Sequence, residues 1–339
     1  MLPFVKPKMI CLTVNRLCNL NCSWCYSKWA SLGKPVSMDF QLACSLADLV
    51  ISVGAKRISL LGGEPTLWTH LLEFNGYVSS RIGTTLVSNA VRFAEDDFLA
   101  PYSQKRNEII GVSLKASSKK KYDKIGCKVS WEEVTLGIKN ALEKLSGSLG
   151  FVCSPNDCDL VEVAKTAKDL GASRLNLSLY TPIFNGERWE SDYSWEKLKE
   201  MTREISLKWH EAENILSGGI YLRCSYPLCM WPEGFIEKLA AEDRVYTGCL
   251  LSQRQGLVFD TDGSVLVCNH LYPYSIGKFG VDFSTSDQFL EFLRSDKVTE
   301  IYNKASCYPS VKCQNCRRYS DCTGGCSVLW LYFNPADSI

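Results

Sequence analysis

Short apolar runs alternate with longer stretches whose apolar positions recur every three or four residues, and this alternation repeats along the first part of the chain. Strands are predicted over 10–14, 58–61, 84–87, 108–114, 149–153 and 174–180. Helices are predicted over 39–53, stopped by Gly54, over 67–81, from 95, over 131–145, over 160–170, closed by Gly171, and over 195–215. In the 131–145 stretch Val134, Ile138, Leu142 and Leu145 share one face, as a helix packing on a core requires. Six strand–helix units at short spacing demand parallel pairing through right-handed crossovers. They are too few for an eight-unit barrel of about 250 residues, which leaves an incomplete barrel or an open doubly wound sheet. After about residue 218 the regular alternation gives way to glycines, prolines and cysteines. There 257–260 and 264–268 flank Thr261-Asp262-Gly263, a hairpin signal. Short helical stretches over 286–304 and a cysteine-rich loop complete the pattern.

Composition narrows the class. A chain of 339 residues has room for one large domain and a smaller one, and 46% hydrophobic with 22% charged residues gives a globular core. Residues 1–9, with Pro3 and Pro7, read as a lead-in arm. The net charge of +1 gives no reason to expect nucleic acid or an anionic membrane as a partner. No apolar run reaches the roughly eighteen residues of a membrane span, and no secretory leader precedes the chemistry. Seventeen cysteines, strongly clustered, point to iron–sulfur or metal ligation in a reducing cytoplasm rather than to disulfides.

The densest cluster is Cys18-Asn-Leu-Asn-Cys22-Ser-Trp-Cys25. Three cysteines cannot close a self-contained disulfide framework, but they can hold three irons of a four-iron cluster and leave the fourth open to a ligand. Zinc is the alternative, although zinc normally takes paired C-x2-C elements and four ligands. Gly62-Gly63-Glu64-Pro65 follows the second strand, where a barrel places ligand-binding loops. Its glycines permit close backbone approach and Pro65 stiffens the turn; an ordinary tight turn is the plainer reading.

The C-x3-C-x2-C spacing, with Trp24 before the third cysteine, resembles the signature of radical S-adenosylmethionine (radical SAM) enzymes. That resemblance implies an α/β fold, an incomplete (β/α)6 barrel over 1–218. It also implies a [4Fe-4S] cluster on Cys18, Cys22 and Cys25, with S-adenosylmethionine on the open iron. Reductive cleavage then yields a 5′-deoxyadenosyl radical that abstracts hydrogen from substrate. Gly62, Gly63, Glu64 and Pro65 look like the family's GGEP motif, which receives the methionine amino group. Ser88, Asn89, Ser113 and Lys115 end the third and fourth strands, where relatives contact the cofactor's ribose and carboxylate; Ser154, ending the fifth, is a further candidate. Ser113-Leu-Lys115-Ala stands where many relatives have Ser-Leu-Asp-Gly.

A second constellation is Cys249-x13-Gly263-x4-Cys268, then Cys313-x2-Cys316-x5-Cys322-x3-Cys326. It is similar to the SPASM extension, expected over 249–339 after a bridging region at 219–248, which holds one or two auxiliary iron–sulfur clusters. In that pattern Cys249, Cys268 and Cys326 serve the first, and Cys313, Cys316 and Cys322 the second; two zinc sites are the alternative. Each set lacks a fourth cysteine. Cys307, ahead of Asp321, is the candidate for the second, and Cys224 or Cys229 for the first, unless that cluster stays open to substrate. Cys11, Cys44, Cys127 and Cys153 read as incidental, Cys158 as a thiol that could react, and His70, His210 and His270 as structural. Lys119-Lys120-Lys121 reads as a solvated segment, or as a docking site for an acidic partner.

The resemblance implies a cytoplasmic enzyme with an external flavodoxin- or ferredoxin-type electron donor and a peptide or protein substrate. The expected products are thioether or carbon–carbon crosslinks, or an oxidised side chain. With Cys18 so near the start there is no room for an N-terminal leader-recognition domain. A small-molecule metabolite is the alternative substrate, and an iron–sulfur electron carrier or zinc-stabilised module the alternative class. No catalytic residue stands out beyond the ligands.

Overall fold

A computed structural model describes residues 6–27, 29–30, 36–305 and 308–338. Six strands, β1 (Met9–Asn15), β2 (Arg57–Gly62), β3 (Gly83–Ser88), β4 (Ile109–Leu114), β5 (Ser148–Cys153) and β6 (Leu175–Leu179), lie side by side in chain order and all parallel. Ile10, Leu12 and Val14 of β1 are wholly buried and alternate with Cys11, Thr13 and Asn15, so the strand gives one face to the main core and a more polar face to the other side.

The helices between these strands follow from their ends. In α1 (Phe40–Ser52) the Asp39 carboxylate accepts from the Gln41 and Leu42 N–H groups, and Gly54 leaves the helix at φ +83°. The predicted 67–81 helix is shorter, α2 (Leu71–Val78). Residues Pro65–Leu67 form a 3-10 turn capped by Glu64, and the Trp68 indole donates to the Met38 carbonyl at 3.0 Å, which holds the chain off the helical path. Next come α3 (Asp96–Gln104) and α4 (Lys119–Asp123). Then α5 (Trp131–Leu145) starts at a reciprocal Ser130–Glu133 capping box, and α6 (Leu160–Asp169) at the Asp159 cap. After a ribbon of β7 (Ile183–Phe184) and β8 (Trp189–Glu190) comes α7 (Trp195–Ile215), capped by Ser194.

The sheet continues past six strands. β9 (Ile220–Cys224) pairs parallel with β6, and β10 (Val245–Thr247) with β9, with α8 (Phe235–Ala241) between them. The bridging stretch 219–248 therefore extends the barrel. At the opposite end the expected hairpin forms from β11 (Val258–Phe259) and β12 (Ser264–Leu266), continues into β13 (Ser275–Lys278), and joins the sheet because β11 pairs parallel with β1. The result is the incomplete TIM-like barrel of the α/β class.

Beyond it lie α9 (Ser286–Arg294), α10 (Asp296–Ala305), α11 (Val311–Gln314) and α12 (Tyr319–Cys322). This cysteine-rich end returns to the far side of the sheet. The Cys326 N–H donates to the Ser225 carbonyl at 2.7 Å, just past β9, and the rings of Trp330 and Phe333 sit 5.3 and 5.4 Å from that of Trp195. Among the described residues no helix is long and apolar enough to cross a membrane.

Candidate active site

The cysteine loop leaves β1 at Asn15 and is clamped by the strap after β2. The Gly63 N–H donates to the Asn15 carbonyl at 2.9 Å, the Glu64 N–H to the Leu17 carbonyl at 2.6 Å, and the Asn15 amide to the Glu64 carbonyl at 2.9 Å. A Cβ on Gly62 would lie 2.5 Å from the Asn15 carbonyl oxygen, and one on Gly63 2.2 Å from that of Leu17. These glycines let two backbones meet, so that the strap carries the cysteine loop.

Glu64 is buried and is the node of the site. One carboxylate oxygen accepts from the Thr66 N–H (3.1 Å), the Thr66 hydroxyl (2.7 Å) and the Ser88 hydroxyl (2.7 Å); the other accepts from the Asn89 N–H (2.7 Å). The Asn89 amide then donates to Asn19 Oδ1 at 2.7 Å and lies 3.7 Å from Cys18 Sγ. Ser88 and Asn89 thus tie the ends of β2 and β3 to the cysteine loop.

Cys18, Cys22 and Cys25 open onto one cavity of about 330 Å³, whose wall includes Gly62, Gly63, Glu64, Ser88, Asn89, Ser113 and Lys115. Burial raises the Cys18 thiol, the nearby Lys115 ammonium lowering it in part. Cys22 is raised by a hydrogen bond shared with Cys127, and the same bond lowers Cys127 to about 6. Nothing in the sequence marks Cys127, which follows α4 and reaches the loop only through the fold. Of the remaining cofactor candidates, Pro65 is buried at the first position of the turn and Trp24 packs against the core. Ser154 pairs with Asp157 and Tyr193; none of the three lines the cavity.

The Arg16 and Tyr26 side chains join this loop to the C-terminal region. Arg16, in the cavity wall, forms a buried ion pair with Asp260 at the end of β11. The Tyr26 ring stacks on His270 at 4.5 Å, and burial, with Arg223 nearby, lowers His270 to about 4 and keeps it neutral.

The C-terminal cysteines gather in two places. Burial, with Cys249 and Cys268 close by, raises Cys326, and burial with Cys249 raises Cys268 to about 11, so these three are neighbours. Cys313, Cys316 and Cys322 line a second cavity of about 340 Å³, and Cys229 lines it with them. Cys229 is exposed, but partial desolvation at the cavity wall and the nearby Cys322, Cys313 and Cys316 raise its thiol. Cys224 is buried with its thiol donating to the Tyr226 carbonyl at 3.5 Å, outside that cavity. Cys307 lies outside the described residues. Among the described residues no three His, Cys, Asp or Glu side chains converge on a single metal-ion position. The thiols share cavity walls instead, with room between them.

Other sequence candidates are absorbed by the fold. Lys119 pairs with Glu132 and Lys121 with Asp157, each at 2.9 Å. Cys158 is buried, 2.9 Å from a Glu204 oxygen, and burial followed by that contact raises its thiol to about 12, away from thiolate reactivity.

An open parallel barrel with a three-thiol loop after its first strand, carried on a Gly-Gly-Glu-Pro strap after its second, is the arrangement that the radical SAM resemblance implies. Residues 12–167, a little under half of the chain, match the domain of the radical SAM superfamily. The cofactors of that domain are a [4Fe-4S] cluster and S-adenosylmethionine, and three cavity-facing thiols beside a cation fit them. By sequence the chain is similar to GTP 3′,8-cyclase of Nostoc sp., 24% identical over 207 residues covering 57% of this chain and 62% of that one. It is also similar to a probable GTP 3′,8-cyclase of Methanococcus maripaludis, 26% identical over 138 residues covering 39% and 44%. The chain thus spans less than two thirds of these relatives. In fold it resembles anSMEcpe with bound AdoMet and Cp18Cys peptide (TM-score 0.69, 17% identity, 94% of this chain and 88% of that one). It likewise resembles Streptococcus suis SuiB bound to precursor peptide SuiA (TM-score 0.67, 15% identity, 97% and 75%).

Proposed function

We propose that this protein is a radical SAM enzyme that abstracts hydrogen from a peptide or protein substrate to install a thioether or carbon–carbon crosslink, or to oxidise a side chain. Cys18, Cys22 and Cys25 hold the cluster. Once bound and reduced by one electron, S-adenosylmethionine and the cluster supply a carbon-centred radical able to take hydrogen from an unactivated position. Gly62, Gly63 and Glu64 present backbone and carboxylate to the cofactor's amino group, Lys115 offers a cation to its carboxylate, and Ser88, Asn89 and Ser113 set the polar wall. The cavity walls exclude water from the reacting atoms. A flavodoxin- or ferredoxin-type donor in the cytoplasm supplies the electron. The C-terminal cysteines would hold auxiliary iron–sulfur clusters in the SPASM manner, Cys249, Cys268 and Cys326 one set and Cys313, Cys316 and Cys322 the other, and such clusters would supply an electron acceptor or a site for substrate ligation.

The observation that carries the peptide reading is the extent of the fold likeness. It covers 94% of this chain, cysteine-rich end included, and the matched anSMEcpe structure holds a peptide. The similarity to the cyclases covers 57% of the chain; their name favours a second reading, a small-molecule substrate.

Anaerobic incubation with S-adenosylmethionine and dithionite should yield 5′-deoxyadenosine. Replacing Cys18, Cys22 and Cys25 together by Ala should abolish it while iron remains in the protein. No 5′-deoxyadenosine from the parent would leave an electron carrier. Turnover stimulated by GTP, and by no cysteine- or serine-containing peptide, would favour the small-molecule reading.

A further inference from the structure

The cavity shared by Cys313, Cys316 and Cys322 has a fourth thiol on its wall, from a distant part of the chain. Cys229 sits in the 3-10 turn Leu228–Met230 that follows β9. Leu228 and Met230 on either side are buried, whereas Cys229 is exposed, so the turn anchors its apolar neighbours and leaves the thiol on the surface. The cysteine-rich loop is built to approach this turn. The Leu228 N–H donates to Cys322 Sγ at 3.2 Å. Gly325, at φ +76°, lies where a Cβ would be 2.7 Å from the Pro227 ring, and the next residue, Cys326, bonds to Ser225. Glycine permits both the left-handed backbone and the contact. Lys199, Lys312 and Arg318 also line the cavity and suit the negative charge of a thiolate-ligated cluster.

We propose that Cys229 is the fourth ligand of the cluster held by Cys313, Cys316 and Cys322, so that the C-terminal set is completed by the turn after β9. The proposal rests on the reading that these C-terminal cysteines hold an auxiliary iron–sulfur cluster. Four thiolates give each iron of a [4Fe-4S] cluster one protein ligand. Because one comes from the barrel and three from a segment of short helices and turns, binding would staple the two and couple the order of the loop to the metal. The assignment also removes Cys229 from the first set, leaving Cys224 as the remaining cysteine candidate beside Cys249, Cys268 and Cys326.

The test uses the full chain, reconstituted anaerobically with iron and sulfide, in a background where Cys18, Cys22 and Cys25 are Ala so that the N-terminal cluster is absent. Iron and acid-labile sulfide per chain are measured, with EPR and Mössbauer spectra, for Cys229→Ala, Cys229→Ser, Cys307→Ala and the Cys313→Ala/Cys316→Ala pair. Cys229→Ala should lose one cluster, about four irons per chain, or keep a three-iron form that is EPR-active when oxidised. Cys229→Ser, which retains a weaker oxygen ligand, should hold more iron than Cys229→Ala with an altered spectrum. Cys307→Ala should match the parent. Parental iron and spectra in Cys229→Ala would overturn the assignment whatever Cys307→Ala does. If the Cys313→Ala/Cys316→Ala pair also keeps all its iron, the auxiliary-cluster reading itself falls.

Discussion

Asp260→Asn isolates the contact between the radical site and the C-terminal region. Asp260 is wholly buried and the Arg16 side chain is 2% exposed, so their ion pair lies out of reach of water. Asp260 Oδ1 also accepts from the Thr261 N–H at 2.8 Å, and among the described residues the Arg16 guanidinium also reaches the Ser27 hydroxyl weakly, at 3.4 Å. Asparagine keeps the shape and removes the charge, leaving a buried guanidinium uncompensated, which costs about 3–5 kcal/mol. With an unfolding entropy of about 2.1 cal/mol/K per residue, the 339 residues give about 0.7 kcal/mol/K if the chain melts as one unit. The Tm of the anaerobic holoprotein should then fall by about 4–7 °C at matched scan rate. Because Arg16 lines the cavity two residues before Cys18, 5′-deoxyadenosine formation should fall as well. Arg16→Met/Asp260→Leu removes both charges and should recover most of the lost stability, since burying neither ion is often neutral or better. A Tm for Asp260→Asn within about 1 °C of the parent, as for a neutral surface change, would refute the reasoning.

Glu64→Gln places an amide among four donors and removes the charge that the proposed reading assigns to the cofactor's amino group. S-adenosylmethionine affinity by anaerobic equilibrium dialysis should fall by about ten- to a hundred-fold, the worth of a charge-assisted hydrogen bond, and unchanged affinity would remove Glu64 from that role. Gly137→Ala should stabilise α5 by about 1 kcal/mol on helix propensity alone. Its Cβ would fall 2.0 Å from the Ala90 carbonyl oxygen, next to Asn89, so a lower Tm and slower cofactor cleavage are expected instead. A raised Tm would show that the Ala90 loop yields freely.

What was legible in the sequence was local. Cys18, Cys22 and Cys25 lie within one loop, the Gly62–Pro65 strap is contiguous, and α5 and α7 span the predicted 131–145 and 195–215. The extra strands were not legible for a physical reason. β10 has only three residues, too few for a period-two pattern to stand out, β9 lies among the glycines, prolines and cysteines that follow residue 218, and the pairing energy of both comes from neighbours already in the sheet. Spacing alone assigns the strap's glycines to a ligand. Their would-be Cβ atoms point at the Asn15 and Leu17 carbonyls, a contact that spacing cannot reveal. Cys127 and Cys229 reach their partners only through tertiary packing, so no count along the chain separates them from incidental thiols.

The sheet order gives the cysteine-rich end a mechanical role. An open parallel sheet leaves edges at β10 and beyond β1, and bare edges invite pairing with other chains. The chain leaves β10 at Thr247, reaches Cys249 two residues later, and arrives as β11 beside β1, having crossed between the two ends of the sheet. Cys249 thus comes from one end, Cys268 from the hairpin at the other, and Cys326 from the loop bonded to Ser225 after β9. Met9 of β1 and Val245 of β10 line one cavity, so the sheet curls until its ends approach. β11 has only two residues, so backbone pairing alone holds that closure weakly. On the proposed reading, ligation of the cysteines supplies the missing constraint. The Arg16–Asp260 pair and the Tyr26–His270 stack then carry the position of the closing segment directly to the loop that holds Cys18, Cys22 and Cys25.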